Sequence, residues 1–196
     1  MTPEDRHILT TIAHLRVAPN TMIADTAGIT PRDLQQILDD LTRADMIEEC
    51  TIITPDGGTT RARRLHERGS EHLGITPQHH WKDASAEYLA ARLGLPLNTA
   101  TPSQLTISGA TQNAFLSVLG ISVLPNTSIT LHLYPRPDEF KDNSDDGLAI
   151  IIAAPGTVEH LQRALLLDPR PNTYIVRAAK ALSAAMRARI TSEDQP

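Results

Sequence analysis

Apolar positions near the start of the chain keep a helical rhythm. Ile8, Leu9, Ile12 and Leu15 fall on one face of a 3.6-residue period. Thr2-Pro3-Glu4-Asp5 ahead of them offers an N-cap, a proline at the first helical position and two carboxylates favourable to the helix dipole. Pro19-Asn20-Thr21 is expected to end this helix and cap a short second one carrying Met22, Ile23 and Ala27, which Gly28 stops. Thr30-Pro31-Arg32-Asp33 repeats the start signal, with Asp33 at the capping-box position. Leu34, Ile37, Leu38 and Leu41 then form one apolar stripe to about Ala44, where Asp45 tolerates a left-handed backbone. Beyond it the period changes. Glu49–Ile53 and Thr59–Leu65 read as extended segments around Thr54-Pro55-Asp56-Gly57-Gly58, and Asp-Gly between two such segments is a hairpin signal.

Three helices followed by a hairpin, with the second and third helices tightly joined, predict a winged helix-turn-helix over residues 1–75. Residues 76–102 read as a connector. Thr76-Pro77 breaks the chain, Trp81, Ala84, Tyr88, Leu89 and Leu93 suggest an amphipathic helix closed by Gly94 and Pro96, and Leu97–Pro102 is a polar joint. In residues 103–196 strands alternate with helices. Strands are expected at Leu105–Ile107, Ile129–Tyr134, Leu148–Ala153 and Thr173–Val176, and helices at Thr111–Leu119, around Val158–Leu166 and at Ala178–Ile190. Leu148–Ala153 is apolar throughout, as a strand buried on both faces would be. The expected class is therefore α+β: an N-terminal winged helix-turn-helix followed by a small C-terminal α/β domain for dimerisation or sensing.

The stretch Ile23-Ala24-Asp25-Thr26-Ala27-Gly28-Ile29-Thr30-Pro31, continuing through Leu34, Leu38, Leu41 and Met46-Ile47, resembles the pattern of winged-helix bacterial transcription regulators. Leu65-His66-Glu67-Arg68-Gly69 resembles the Leu-Thr-x-x-Gly motif that opens a further helix after the wing in MarR- and PadR-like proteins. Here His66 stands in place of the Thr, and Asp45 in place of a frequent Gly. The resemblance covers residues 3–75 and implies a DNA-binding fold, although winged helices also serve as protein-interaction modules.

Composition narrows the chemistry. Six residues of 196 are aromatic, too few for a platform that stacks bases or sugars. Cys50 is the single cysteine, so neither an intrachain disulfide nor a Cys-based zinc site is expected. No run approaches the length of a transmembrane helix, and Met1–Asp5 lacks the basic and apolar parts of a signal peptide, so a cytoplasmic protein is expected. The net charge is -5, and residues 1–75 carry eight Arg against twelve Asp or Glu, the reverse of the usual basic excess of a DNA-binding domain.

Within that acidic background, two sets of residues point to nucleic acid. Arg32, Gln35 and Gln36 lie off the apolar stripe near the start of the third helix, where a recognition helix meets base edges. Arg pairs with guanine and Gln with adenine, whereas Asp39, Asp40 and Asp45 on the following turns repel phosphate. Arg43 joins this set. Arg61, Arg63, Arg64 and Arg68 are set against Glu67 alone within eight residues, a ribbon suited to a phosphate backbone. The competing reading pairs these arginines with Glu48, Glu49 and Asp56 on the neighbouring strand.

Other motifs are weaker. Ala153-Ala154-Pro155-Gly156-Thr157 lacks the residues of a phosphate-binding loop or dinucleotide fingerprint. Glu139-Phe140-Lys141 is similar to the carboxylate-x-Lys triplet of restriction-endonuclease-like nucleases. No Asp occurs between Asp83 and Asp138 to complete a magnesium pair, so a charged loop is expected. The histidines follow no metal-ligand spacing, and neither a catalytic residue nor a cofactor is expected.

The expected function is a sequence-specific transcriptional regulator that binds double-stranded DNA as a homodimer. The alternative is an accessory DNA- or protein-binding component of a larger assembly, such as a plasmid-transfer, replication or defence complex. An enzyme housed in the α/β part is the third class.

Overall fold

In the computed structural model, helix α1 spans Pro3–Leu15 and opens on a full capping box: the Thr2 hydroxyl accepts from Asp5 N–H while the Asp5 carboxylate accepts from Thr2 N–H. The structure describes residues 1–95, 97, 104–107, 116–117, 119–121, 129–134, 148–170 and 172–193. It divides into two compact units, one made of Met1–Ile52 and Thr59–Ala91, the other of Ile53–Gly58 and Arg92–Pro196.

In the first unit, α1 is followed by a three-residue strand, β1 (Val17–Pro19), that the sequence pattern does not announce. Arg16 turns the chain between them with φ 68° and ψ −66°, close to a γ-turn conformation that is strained for a residue with a side chain. Helix α2 (Asn20–Ala27) follows directly. Asn20 was expected to help cap it, but Pro19 occupies the cap position without a side-chain hydrogen bond, because the chain arrives straight from β1. Gly28 ends α2 in the left-handed conformation. Thr30 caps α3 (Pro31–Arg43) by accepting from Asp33 N–H, and Asp45, at φ 57°, makes the left-handed exit.

Strands β2 (Ile47–Ile53) and β3 (Thr59–Leu65) form the hairpin, closed by Thr54 N–H donating to Gly58 O at 2.8 Å. The sheet order is β1-β3-β2, with β1 antiparallel to β3 through Val17↔Arg64, Ala18↔Arg63 and Pro19↔Ala62. β3 is thus a central strand from Ala62 to Arg64, and no β1 residue pairs with it from Arg61 outward. Helix α4 (Glu67–Leu73) begins on the loop between α3 and β2: His66 N–H donates to Met46 O at 3.0 Å.

The core of this unit joins Ile8, Leu9 and Ile12 of α1 to Ile23 and Ala24 of α2, Leu34, Leu38 and Leu41 of α3, and Ile47 and Leu65 of the hairpin. Burial of these aliphatic side chains supplies the main driving force, roughly 1.5–3 kcal/mol for each. A second cluster joins Val17, Ile52 and Ala62 to Ala84 and Tyr88 of α5 (Ala84–Leu93). The expected boundary at residue 75 therefore falls inside the first unit, which runs on to Ala91. Residues 76–91 belong to this unit, and Ala84 and Tyr88 of α5 pack on Val17, Ile52 and Ala62 of the sheet.

The second unit holds a four-stranded sheet in the order β4-β5-β6-β7, from β4 (Gln104–Ile107), β5 (Ile129–Leu133), β6 (Leu148–Ala153) and β7 (Thr173–Arg177). β4 and β5 are antiparallel, whereas β5, β6 and β7 run parallel. The helix Pro155–Leu167 connects β6 to β7 and packs Val158 and Leu161 onto Ile151 and Ala153 of the sheet. The final helix, Ala178–Glu193, packs against β6 and β7 and buries Ala178, Ala181, Ala184 and Ala185. The fold is mixed α+β, as expected. The loop 138–147 with Glu139-Phe140-Lys141, the joint at 98–102, and residues 111–115 and 118 of the helix expected over Thr111–Leu119 lie outside the described residues. Among the described residues no helix is long and apolar enough to cross a membrane, and no group of three or more His, Cys, Asp or Glu could hold a metal ion.

Candidate functional site

The apolar stripe of α3 fixes what the helix presents outward. With Leu34, Leu38 and Leu41 buried, Arg32, Gln36 and Arg43 lie on the opposite side, with Gln35 and Asp39 on one flank and Asp33 and Asp40 on the other. All these polar residues are exposed. Two are engaged locally: Gln35 Nε2 donates to Asp39 Oδ1 at 2.7 Å, and Arg43 Nη1 meets Asp40 Oδ1 at 2.6 Å. Such exposed pairs contribute little and rearrange readily when a ligand arrives.

The Asp33–Asp40 flank borders a groove of about 570 Å³ lined by Thr2, Glu4, Asp5, Thr30, Ile37 and Gln36 among others. The groove is acidic. Its carboxylates disfavour anions along this side of α3.

The hairpin divides its arginines by position along β3. Arg61, past the end of β1, keeps 76% of its side chain exposed and reaches Glu49 Oε1 only at 3.7 Å. Two residues on, Arg63 keeps 5% and forms a tight ion pair with Glu49. Sequence spacing correctly places both on the face that meets Glu49. What it cannot reveal is β1, which lies alongside Arg63 and is absent beside Arg61. The Arg63 hydrogen bond, opposed in part by burial and assisted by the charges of Arg63 and Arg61, holds the Glu49 carboxyl below its ordinary range.

Arg64 turns to the other face. Its Nε donates to Glu48 Oε1 at 2.6 Å and its Nη1 to Trp81 O at 2.9 Å, with Glu87 Oε2 at 3.6 Å. Of the expected hairpin set, then, Arg61 is exposed on the ribbon and Arg68 on α4, while Arg63 and Arg64 are held by carboxylates of the same unit.

Sequence reasoning missed Glu87. Its carboxylate is fully buried, and one oxygen faces Arg16 Nη2 at 3.3 Å and His80 Nδ1 at 2.8 Å. The other accepts from Trp81 N–H at 3.0 Å and faces Arg64. Burial pushes this carboxyl up, but the His80 hydrogen bond and charge, the Trp81 N–H and the Arg16 charge outweigh it and hold the group below its ordinary value. A sequence signal existed: Glu87 is the one charged residue in Ala84–Ala91, an otherwise small and apolar run, where a carboxylate requires partners.

Cys50 is half-buried on β2, its thiol 3.7 Å from Ala62 O. Burial pushes it up to about 11. No family model, curated protein or solved structure matches the chain.

Proposed function

We propose that the first unit is a winged-helix domain that binds double-stranded DNA and that the protein is a sequence-specific transcriptional regulator. The observation that carries this reading is the joint display of α3 and the ribbon. The order α1-β1-α2-α3-β2-β3 with strands β1-β3-β2 supports it: α3 turns Arg32, Gln35, Gln36 and Arg43 outward, and Arg61 projects from the hairpin beyond β1. In this reading Arg32, Gln35 and Gln36 address base edges in the major groove. Arg43, Arg61 and Arg68 meet phosphates, and Arg63 and Arg64 are structural.

With so few cations available, one copy would hold DNA weakly. A homodimer on paired half-sites, with the second unit supplying dimerisation or sensing, makes up the affinity. Selection from a random duplex library, followed by fluorescence anisotropy across a salt series, tests the proposal. Enrichment of one sequence with a salt-dependent affinity supports a regulator. A second reading is favoured by the acidic groove beside α3, which suits a basic protein surface and an accessory role in a larger assembly. No duplex binding at 50 mM salt by a sedimentation-verified sample would select that reading.

A further inference from the structure

Residues 78–88 are fastened to α1 and β3 by side chains that converge on a single carboxylate. Gln78 Nε2 donates to Ala13 O at 2.7 Å, and Arg16 Nη2 to His79 O at 2.7 Å. His80 Nε2 lies 2.8 Å from Leu65 O while its Nδ1 faces Glu87. Both ring nitrogens thus face acceptors, and the ring serves both as a donor only when it carries two protons. At the centre, Glu87 receives Arg16 from the end of α1, Arg64 from β3, and His80 and Trp81 from the segment before α5. Glu48 on β2 shares Arg64, and the Cys50 thiol on the same strand senses the charges of Arg64 and Glu87.

We infer that Glu87 is an electrostatic latch. It fastens the segment before α5 to the strained Arg16 turn and to β3, and in doing so keeps Arg64 from any external polyanion. Arg64 keeps only 17% of its side chain exposed while two carboxylates claim it. α5 itself continues past Ala91, where the first unit ends, to Leu93. A displacement of α5 along its own axis would withdraw Glu87 from Arg64 and from the Arg16 turn together, leaving Glu48 of β2 as the one carboxylate on Arg64. Arg64 would then be less fully neutralised without any change in sequence. The second half of this inference rests on the DNA reading, the first does not.

Hydrogen exchange on the full chain tests the first half directly. In Glu87→Gln, which keeps hydrogen-bonding atoms and removes the charge, the amides of Arg16, Val17, Leu65 and Trp81 are expected to exchange at least tenfold faster, with those of Leu34–Leu41 unchanged. Unaltered protection at the four amides overturns the latch. For the second half, a generic 30-base-pair duplex and heparin serve as polyanions. Release of Arg64 adds about 0.9 to the slope of log affinity against log salt, roughly a five- to tenfold gain near 0.1 M. The gain should vanish in Glu87→Gln with Arg64→Gln. Glu48→Gln, altered at a half-exposed rim position, should leave the slope as it was because Glu87 still holds Arg64. If Glu48→Gln reproduces the gain, or if Glu87→Gln quickens exchange without it, Glu87 is not what withholds Arg64. Absence of duplex binding by every variant defeats the DNA reading, while the heparin and exchange results still decide the latch.

Discussion

Replacing Arg61 and Arg63 separately by alanine should give opposite phenotypes, although the two residues lie on one strand face two positions apart. Arg61 is three-quarters exposed, and its one carboxylate neighbour stands at 3.7 Å. Its loss removes at most a few tenths of a kcal/mol from stability, as exposed pairs generally do. If it meets a phosphate, its loss also lowers the salt slope by about 0.9 and the affinity near 0.1 M by roughly five- to tenfold. Arg63 is buried beside β1, and its guanidinium is tied to Glu49. Arg63→Ala discards the packing of its stem and leaves Glu49 without its main partner. Because Glu49 is still exposed enough to be hydrated, the cost should lie below the roughly 3–5 kcal/mol of a fully buried broken pair, at about 2 kcal/mol. For a unit of this size that is on the order of 10 °C in Tm. Circular dichroism melts and duplex anisotropy on the same samples separate the two outcomes. Arg63→Ala melting with the parent while losing DNA affinity as Arg61→Ala does would refute the division of the hairpin into structural and available arginines.

Other outcomes follow from single contacts. A methyl group built on Gly69 would collide with Met46 O and sit 3.0 Å from Leu65 Cδ1, so Gly69→Ala should destabilise by about 3 kcal/mol. At Gly74 nothing lies within 4 Å, so Gly74→Ala should cost only the roughly 1–2 kcal/mol of its left-handed φ, and equal urea midpoints for the two variants would contradict the packing argument. Cys50, pushed up to about 11, should react with iodoacetamide at pH 8 far more slowly than a free thiol, and labelling within minutes in the folded protein would show otherwise. Glu87 is held below its ordinary value of 4.5, so its contribution to stability is complete above that pH and lost as pH falls through the folded value. Glu87→Gln should be less stable than the parent at pH 7 yet lose less between pH 5 and pH 3. Parallel acid limbs in urea titrations would overturn this.

What the sequence made legible was whatever depends on neighbours in the chain. Thr2 and Thr30 cap α1 and α3 through residues three positions on, and the aliphatic stripes name the core faces directly. Leu148–Ala153 is a strand over the span its apolar run predicts. The misreadings lie where long-range pairing decides. β1 has three residues and no alternation to betray it, and it exists through its pairing with β3. Its presence, invisible locally, buries Arg63 in its pair with Glu49 while Arg61 stays exposed. Thr76-Pro77 reads as a break, and nothing local shows that Gln78, His80 and Trp81 beyond it are held by partners up to 65 positions away. Gly69 is required by the approach to Met46 O, and α4, with His66 at its cap position, has no side-chain cap.

β1 also acts as a ruler for the hairpin. It stops at Pro19, which has no N–H with which to continue the ladder, and α2 begins at the next residue. The three residues of β3 beyond that point, Thr59 to Arg61, span about 10 Å at roughly 3.3 Å per residue. That distance is the stretch of β3 that β1 leaves unpaired on one edge. Lengthening β1 by one pair would draw Arg61 into the interior of the sheet, and shortening it by one would bare the flank of β3 at Ala62. How far the ribbon carries its charge is therefore set on a different strand, by where a proline falls more than forty residues earlier in the chain.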